Sequence, residues 1–360
     1  MLDVIVVGAG PGGSVAAQKC VQNGFKTLLL EKRKLPRNKV CSGMVMGPWA
    51  RDIIQQEFGE IPDTVLVSPH YLRGNTINVP KVQPKIIEWR IPFAWRKDLD
   101  FWMNQKAQEN GVEIWDGIRV IRVSQVSKKC KVTVKKGEEQ RELSARFVIG
   151  ADGAASVVRK SLFPKLNIQY AAPLRECYKG SLDLEKDYLH WFFPKSRPRP
   201  RFNVNHKGEF FIIEGRALKR LRREITEVLA PYGFDPDANP QWRDGCLITL
   251  LQNDLMTGAF LPARGRILLI GDAAGLDMPV TNEGIGTALQ SGLLAADSIS
   301  KATRSGKEPG EIYISELKYI LEVLKALLPV RERIEEAAEK HASAFAEDLK
   351  SAYEAALGME

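Results

Sequence analysis

The chain has 360 residues, 44% hydrophobic and 27% charged, with a formal net charge of +8. That length allows a large core and two domains, and the composition is ordinary for a soluble globular enzyme. The five cysteines (Cys20, Cys41, Cys130, Cys177, Cys246) are odd in number and form no CxxC pair, so we read reduced thiols in a cytoplasmic protein. No apolar run approaches the roughly 20 residues of a membrane span, and a strand starting at Leu2 leaves no room for a signal peptide.

Leu2 to Val7 is an apolar run rich in β-branched residues. It enters Gly8-Ala9-Gly10-Pro11-Gly12-Gly13, then the helically spaced stretch Ser14 to Cys20, then Thr27 to Leu30, ending on Glu31. Strand, glycine turn, helix, strand and acid make a βαβ unit with a dinucleotide-binding fingerprint. Gly8 permits the tight turn, Gly10 lets a pyrophosphate approach the backbone, and Gly13 lets the helix lie close to the strand. The helix N-terminus offers free N–H groups to phosphate, and Glu31 accepts from a ribose hydroxyl. The fingerprint alone does not choose between NAD and FAD.

Leu35 to Gly43 is a loop at the carboxyl end of the second strand, and it carries Cys41. Three short β-like runs follow at 64–67, 76–79 and 85–89, an antiparallel excursion. Arg96 opens a helix to about Asn110, with Asp98 in its cap and Gly111 as its stop. Strands follow at 111–115 and 119–123, then a β-meander through 131–134 and 142–145. The apolar strand Phe147 to Ile149 ends at Gly150-Ala151-Asp152-Gly153, with a helix from Val157.

Residues 165 to 260 are β-rich, with a helix from about Ala217 to Tyr232 and the aromatic cluster His190 to Pro194. Such a cluster is core, or it walls an apolar pocket. A strand ending at Gly271-Asp272 leads to the loop Pro279 to Gly286 and a helix from Thr287 to Lys301. Its N-terminus could stabilise negative charge on a reduced flavin. From about 310 the tail is helical and amphipathic, with Leu317, Ile320, Leu321 and Leu324 on one face. The histidines (His70, His190, His206, His341) lack metal spacing.

Basic runs at Lys32 to Lys39, Lys195 to Arg201 and Arg216 to Arg223 are solvated faces by default. An anionic membrane surface, a phosphorylated substrate or an acidic electron donor would also suit them. No nucleic-acid module accompanies them.

In this order, GAGPGG with Glu31, GADGAAS at 150–156 and GDAAG at 271–275 resemble the FAD-dependent oxidoreductases of the p-hydroxybenzoate hydroxylase-like fold. Lys39 to Gly43, Arg96 to Asp100, Trp191 to Lys195 and Pro279 to Gly284 resemble the KxCGG, RxxFD, WxFPK and PxTGEGI motifs of the geranylgeranyl reductase group. Ser42, Leu99 and Asn282 depart from those patterns, the first and last replacing glycines. The resemblance implies an α/β Rossmann-like FAD-binding domain of three-layer ββα type over 1–61, 96–160 and 262–305. It implies an inserted antiparallel β-sheet substrate domain over 62–95 and 161–261, and a C-terminal helical segment over 306–360.

It also implies bound FAD contacted by Gly8, Ala9, Gly10, Pro11, Gly12, Gly13, Glu31, Lys32, Lys39, Ser42, Gly43, Arg96, Val120, Asp152, Gly153, Gly271, Asp272, Pro279, Gly284 and Ile285. NAD(P)H or reduced ferredoxin would supply electrons. The expected activity is reduction, or dehydrogenation, of double bonds in an apolar, isoprenoid-like substrate. Cys41 or a water would supply the proton, and Trp191 and Phe193 would shape the pocket. The alternatives are a monooxygenase acting on a small aromatic, a halogenase (Leu189 stands where the first Trp of WxWxIP belongs) and a flavin-bound electron carrier. The protein would be cytoplasmic, with peripheral membrane contact as a further option.

Overall fold

Leu2–Val7 and Thr27–Glu31 carry apolar side chains at successive positions, so both of their faces must be covered. In the computed structural model, which describes residues 2–194, 201–337 and 342–357, they lie at the centre of an eight-stranded sheet. Glu113–Asp116, Thr27–Glu31, Leu2–Val7, Glu139–Gly150 and Ile267–Leu269 run parallel in that order. The hairpin Arg119–Val126 and Lys129–Lys136 joins through the first half of Glu139–Gly150. The last meander strand and the following apolar strand, expected as two, are therefore one.

Helix Pro11–Gln22 packs on this sheet and meets Arg96–Glu109 and Ile285–Ser305. Glycines set how closely the helices cross. A Cβ on Gly12 would lie 2.7 Å from the Ala288 carbonyl oxygen, and one on Gly292 would lie 2.7 Å from that of Gly12. The helix at 96 starts without a side-chain cap. Asp98 sits in its first turn, where it favours the positive helix end, but Trp95 holds the cap position.

The second sheet has seven strands, ordered Trp242–Gly245, Leu174–Lys179, Phe210–Gly215, Phe202–Lys207, Tyr188–Phe192, Leu66–Asn78 and Lys85–Ala94. Every pairing is antiparallel except that of Tyr188–Phe192 with Leu66–Asn78. The runs expected separately at 64–67 and 76–79 form one strand, which absorbs Pro69 and Gly74 through register shifts between Leu66 and Tyr71 and between Leu72 and Gly74. The helix expected from Ala217 to Tyr232 is shorter, Arg222–Leu229 plus one 3-10 turn, because Ala217 takes a left-handed φ of 55°. Helix Gly47–Phe58 was not expected, although Ala50, Ile53, Ile54 and Phe58 are buried at helical spacing.

The tail folds back onto both sheets. Tyr313 donates to the Leu269 carbonyl (2.7 Å), and Leu317, Ile320 and Leu324 are buried in the main core. Helix Ala342–Leu357 packs Phe345, Leu349, Ala352 and Tyr353 against Ile77 and Ile87 of the second sheet. Among the described residues no helix is long and apolar enough to cross a membrane. Lys195 and most of its basic run, together with His341, lie outside the described residues.

Two buried histidines sit in the second sheet. His190 Nε2 faces the Glu185 carbonyl (2.8 Å) and so carries the proton, while Nδ1 accepts from Thr76 Oγ1 (2.9 Å). His206 Nε2 accepts from the Leu182 N–H (3.0 Å). Burial pushes His190 down and His206 down to about 4. The folded state thus holds them neutral, whereas the unfolded chain protonates them below about pH 6.5. Their contribution is complete above that pH and is lost as pH falls below it, for His206 down to about pH 4, at up to ~1.4 kcal/mol per pH unit for each group. Urea melts of wild type and His206→Gln between pH 6.5 and 4 test this. The variant, whose amide oxygen can still accept from Leu182, should lose less stability on acidification; equal losses would refute the assignment.

Candidate functional site

A cavity of about 1520 Å³ is lined by residues of both sheets, larger than the roughly 300–1,000 Å³ of a usual ligand pocket. From the first sheet it takes residues at the carboxyl ends of parallel strands, including Val7, Leu30, Glu31 and Ala151, the end where α/β sheets bind ligands. Of the residues expected at the site, all but Ala9, Gly13 and Gly43 line it. Those three are used by the fold. Ala9 N–H donates to Glu31 Oε2 (3.1 Å), and a Cβ on Gly13 would overlap the Gly8 carbonyl oxygen. Gly43, at φ 77°, lies against the Ala94 carbonyl.

Gly10 is different. A Cβ there would face Arg37 Nη2 at 3.6 Å and Arg96 Nη2 at 3.9 Å. Helix Pro11–Gln22 has no side-chain cap, so its first N–H groups are free for an anion. Two carboxylates hold the two guanidinium groups in place. Arg37 pairs with Glu31 (2.9 Å) and Asp100 (3.2 Å), and Arg96 grips Asp100 with two bonds (2.7 and 3.0 Å). Burial works against the Arg96 charge, but Asp100 and the Cys41 thiol raise its pKa overall. Glu31 also accepts from Arg33 N–H (3.0 Å) and keeps acceptor capacity for a hydroxyl. Lys32 and Val120 line the same end. A diphosphate between Gly10 and the two arginines, with its ribose at Glu31, fits this donor set.

Asp152 accepts from Ser156 Oγ (2.6 Å), Val157 N–H (2.6 Å) and Val158 N–H (3.2 Å), so it binds the first turn of helix Val157–Leu162, whose N-cap is Ser156. Gly153, at φ 78°, has open space where a Cβ would stand. Arg159 links this turn to the other strong motif. Its buried guanidinium donates to the carbonyls of Ala154, Asp272 (3.1 Å) and Ala273 (2.9 Å). Asp272 in turn faces Lys39 Nζ at 4.0 Å. Gly271, at φ 53°, lies under Ala288. Gly284 caps helix Ile285–Ser305, but Glu283 already accepts from the Gly286 N–H (2.6 Å) in the first turn.

The Cys41 loop is held from the second sheet. Arg175, paired with Asp244 (2.7 Å), donates to the Cys41 carbonyl (2.7 Å), and buried Lys207 donates to the Ser42 carbonyl. The far wall is Leu189, Trp191, Phe193, Val280 and Phe345, with Phe193 edge-on to Phe345 at 5.3 Å. Arg201, Arg216, Arg220 and Arg331 also line it. Four lining residues carry a buried polar atom with no hydrogen-bond partner among the described residues: Trp191 Nε1, Asn203 Oδ1, Glu214 Oε2 and Asp277 Oδ1. Arg159, Arg175 and Lys207 were not singled out from sequence, because the groups they join are distant in the chain.

Residues 3–164 match the family described as FAD dependent oxidoreductase. Digeranylgeranylglycerophospholipid reductase 3 of Methanosphaera stadtmanae is 26% identical over 84% of this chain and 78% of its own length. The structure of a geranylgeranyl bacteriochlorophyll reductase-like protein from Thermoplasma acidophilum has a TM-score of 0.75 at 19% identity, covering 99% of this chain and 98% of that one. A probable FAD-dependent monooxygenase from Pseudomonas aeruginosa has a TM-score of 0.73 at 15% identity, covering 98% and 99%. The Gly10 end of the cavity thus lies largely in the segment that matches the FAD dependent oxidoreductase family, and the relatives of this chain include enzymes named as reductases of geranylgeranyl compounds.

Proposed function

We propose that this protein reduces carbon–carbon double bonds of an apolar, isoprenoid-like substrate bearing an anionic head group. One observation carries the reading: a single cavity joins the Gly10–Arg37–Arg96 cradle to the wall of Trp191, Phe193 and Phe345. The aromatic wall suits a hydrocarbon chain. Arg216 and Arg220, exposed at the same cavity, suit the anionic head.

Bound FAD would supply hydride from its ring. Cys41 would give its Sγ proton to the other alkene carbon and regain one from water. The Arg96 guanidinium lies beside that thiol. Arg175 and Lys207 hold the adjoining carbonyls, so the thiol keeps its place through the cycle. Electrons would come from NAD(P)H or from a reduced ferredoxin drawn to the basic surface. A second reading, oxygen activation on a small aromatic, draws on the fold shared with an FAD-dependent monooxygenase.

An anaerobic half-reaction separates the readings. Reduced protein mixed with a polyprenyl diphosphate should reoxidise its flavin and yield a saturated product; reoxidation only by oxygen, with a hydroxylated product, would overturn the first reading. Cys41→Ala should slow that half-reaction about 10²-fold or more, the scale of a lost general acid, while FAD absorbance is retained. An unchanged rate removes Cys41 from the chemistry. Gly10→Val should purify colourless, its side chain filling the space before Arg37 and Arg96. Full FAD loading of that variant would refute the cradle.

A further inference from the structure

Glu283 is a buried carboxyl that the proposed chemistry leaves unused. It lines the cavity although only 8% exposed. A closed loop fixes its backbone: Met278 N–H donates to the Glu283 carbonyl (2.9 Å), and Asn282 N–H to the Met278 carbonyl (2.9 Å). Its carboxylate lies across the first turn of the 21-residue helix Ile285–Ser305. Oε1 accepts from Gly286 N–H at 2.6 Å, and a Cβ on Gly286 would meet Oε2 at 3.2 Å. The charged groups facing it come from two other elements. Asp272, on the Gly271 turn, opposes its ionisation, and Arg96, on helix Arg96–Glu109, supports it. Lys39, 4.0 Å from Asp272, partly offsets that carboxylate.

We propose that Glu283 is the proton acceptor coupled to flavin reduction, taking a proton from water as negative charge arrives beside the helix start. The inference rests on the FAD reading above. Two electrons, from a reduced nicotinamide or a reduced iron–sulfur protein, enter the cavity with one proton to the ring. The added negative charge weakens the hold of the Gly286 N–H on an ionised carboxylate. Glu283 then takes the second proton, so that the buried region gains two electrons and two protons together. This spares the low-dielectric cavity a net charge. Burial supports the role by pushing the Glu283 carboxyl up to about 7 before reduction, so little further perturbation is needed to protonate it at neutral pH.

The test is a potentiometric titration of FAD-loaded protein between pH 6 and 9, for wild type and Glu283→Gln. The glutamine oxygen can still accept from Gly286, so the helix cap is kept. Each proton taken up per two electrons lowers the midpoint potential by about 30 mV per pH unit. Wild type should fall by about 60 mV per pH unit above pH 7, and Glu283→Gln by about 30 mV. Equal slopes in the two proteins, or a wild-type slope of about 30 mV above pH 7, would overturn the role of Glu283. Loading is read first from the flavin absorbance of wild type. A wild type that never takes up FAD overturns the cofactor reading, whereas a loaded protein with equal slopes overturns only this inference.

Discussion

Two buried cations of the seven-stranded sheet, Arg175 and Lys207, hold consecutive carbonyls of a loop that leaves the eight-stranded one. A buried charge without partners is costly, so each must be satisfied where it stands. Arg175 is satisfied by two bonds to Asp244 and one to Cys41. Lys207 lies over the rings of Phe93 (4.4 Å) and Trp95 (4.3 Å) and is pushed down to about 7 by burial. Gly43 makes the fit possible, because a Cβ there would stand 2.8 Å from Lys207 Nζ and against the Ala94 carbonyl. The cavity wall carrying Cys41 therefore takes this form only when both sheets are folded together.

Arg159 does the same within the first sheet. The turns after Gly150 and Leu269 follow parallel neighbours joined by the Ile270 N–H to the Gly150 carbonyl (3.0 Å), and beyond that bond the two turns diverge. One guanidinium bonded to both turns adds a further link. Arg96 and Asp100 are set one helical turn apart, so a single helix delivers a guanidinium already aligned by its own acid. Preorganisation of this kind means that an anion meets positive groups that need not reorient.

The glycine turn could be read from the chain because its demands are local. Gly8 takes a φ of 107° and a Cβ on Gly13 would overlap the Gly8 carbonyl, demands already set by a strand that turns at once into a helix, although Ala151 also crowds both positions in the fold. The residues that fix the site were not legible for the opposite reason. Arg159 reaches Asp272 across 113 positions, Arg175 reaches Cys41 across 134, and Lys207 reaches Ser42 across 165. Each looks like any other cation until the sheets are assembled. Helix Gly47–Phe58 was written in the spacing of Ala50, Ile53, Ile54 and Phe58, but its Gly-Pro start resembles a loop. Asn282 shows a substitution that the backbone tolerates. It stands where the similar motif has glycine and takes a φ of 53°, a region asparagine enters more readily than most residues.

Charge along the cavity has an order that follows from burial. Part of the lining holds Arg37 and Arg96 against Glu31 and Asp100, and another part presents exposed Arg216 and Arg220. Four other groups at or beside the cavity, Glu283, Glu214, Asp277 and Lys207, are driven toward neutrality. Burial raises Glu283 and Glu214, burial and then Asp272 raise Asp277 well above the usual range, and burial lowers Lys207. A long ligand set that is anionic at its ends and apolar between them matches this profile; a uniformly polar one would leave the middle unpaired. The tail completes the profile, since Phe345 and Arg331 reach the cavity from helices that also pack on the sheets. The last part of the chain thus contributes to the wall of the same cavity as the turn made by the first.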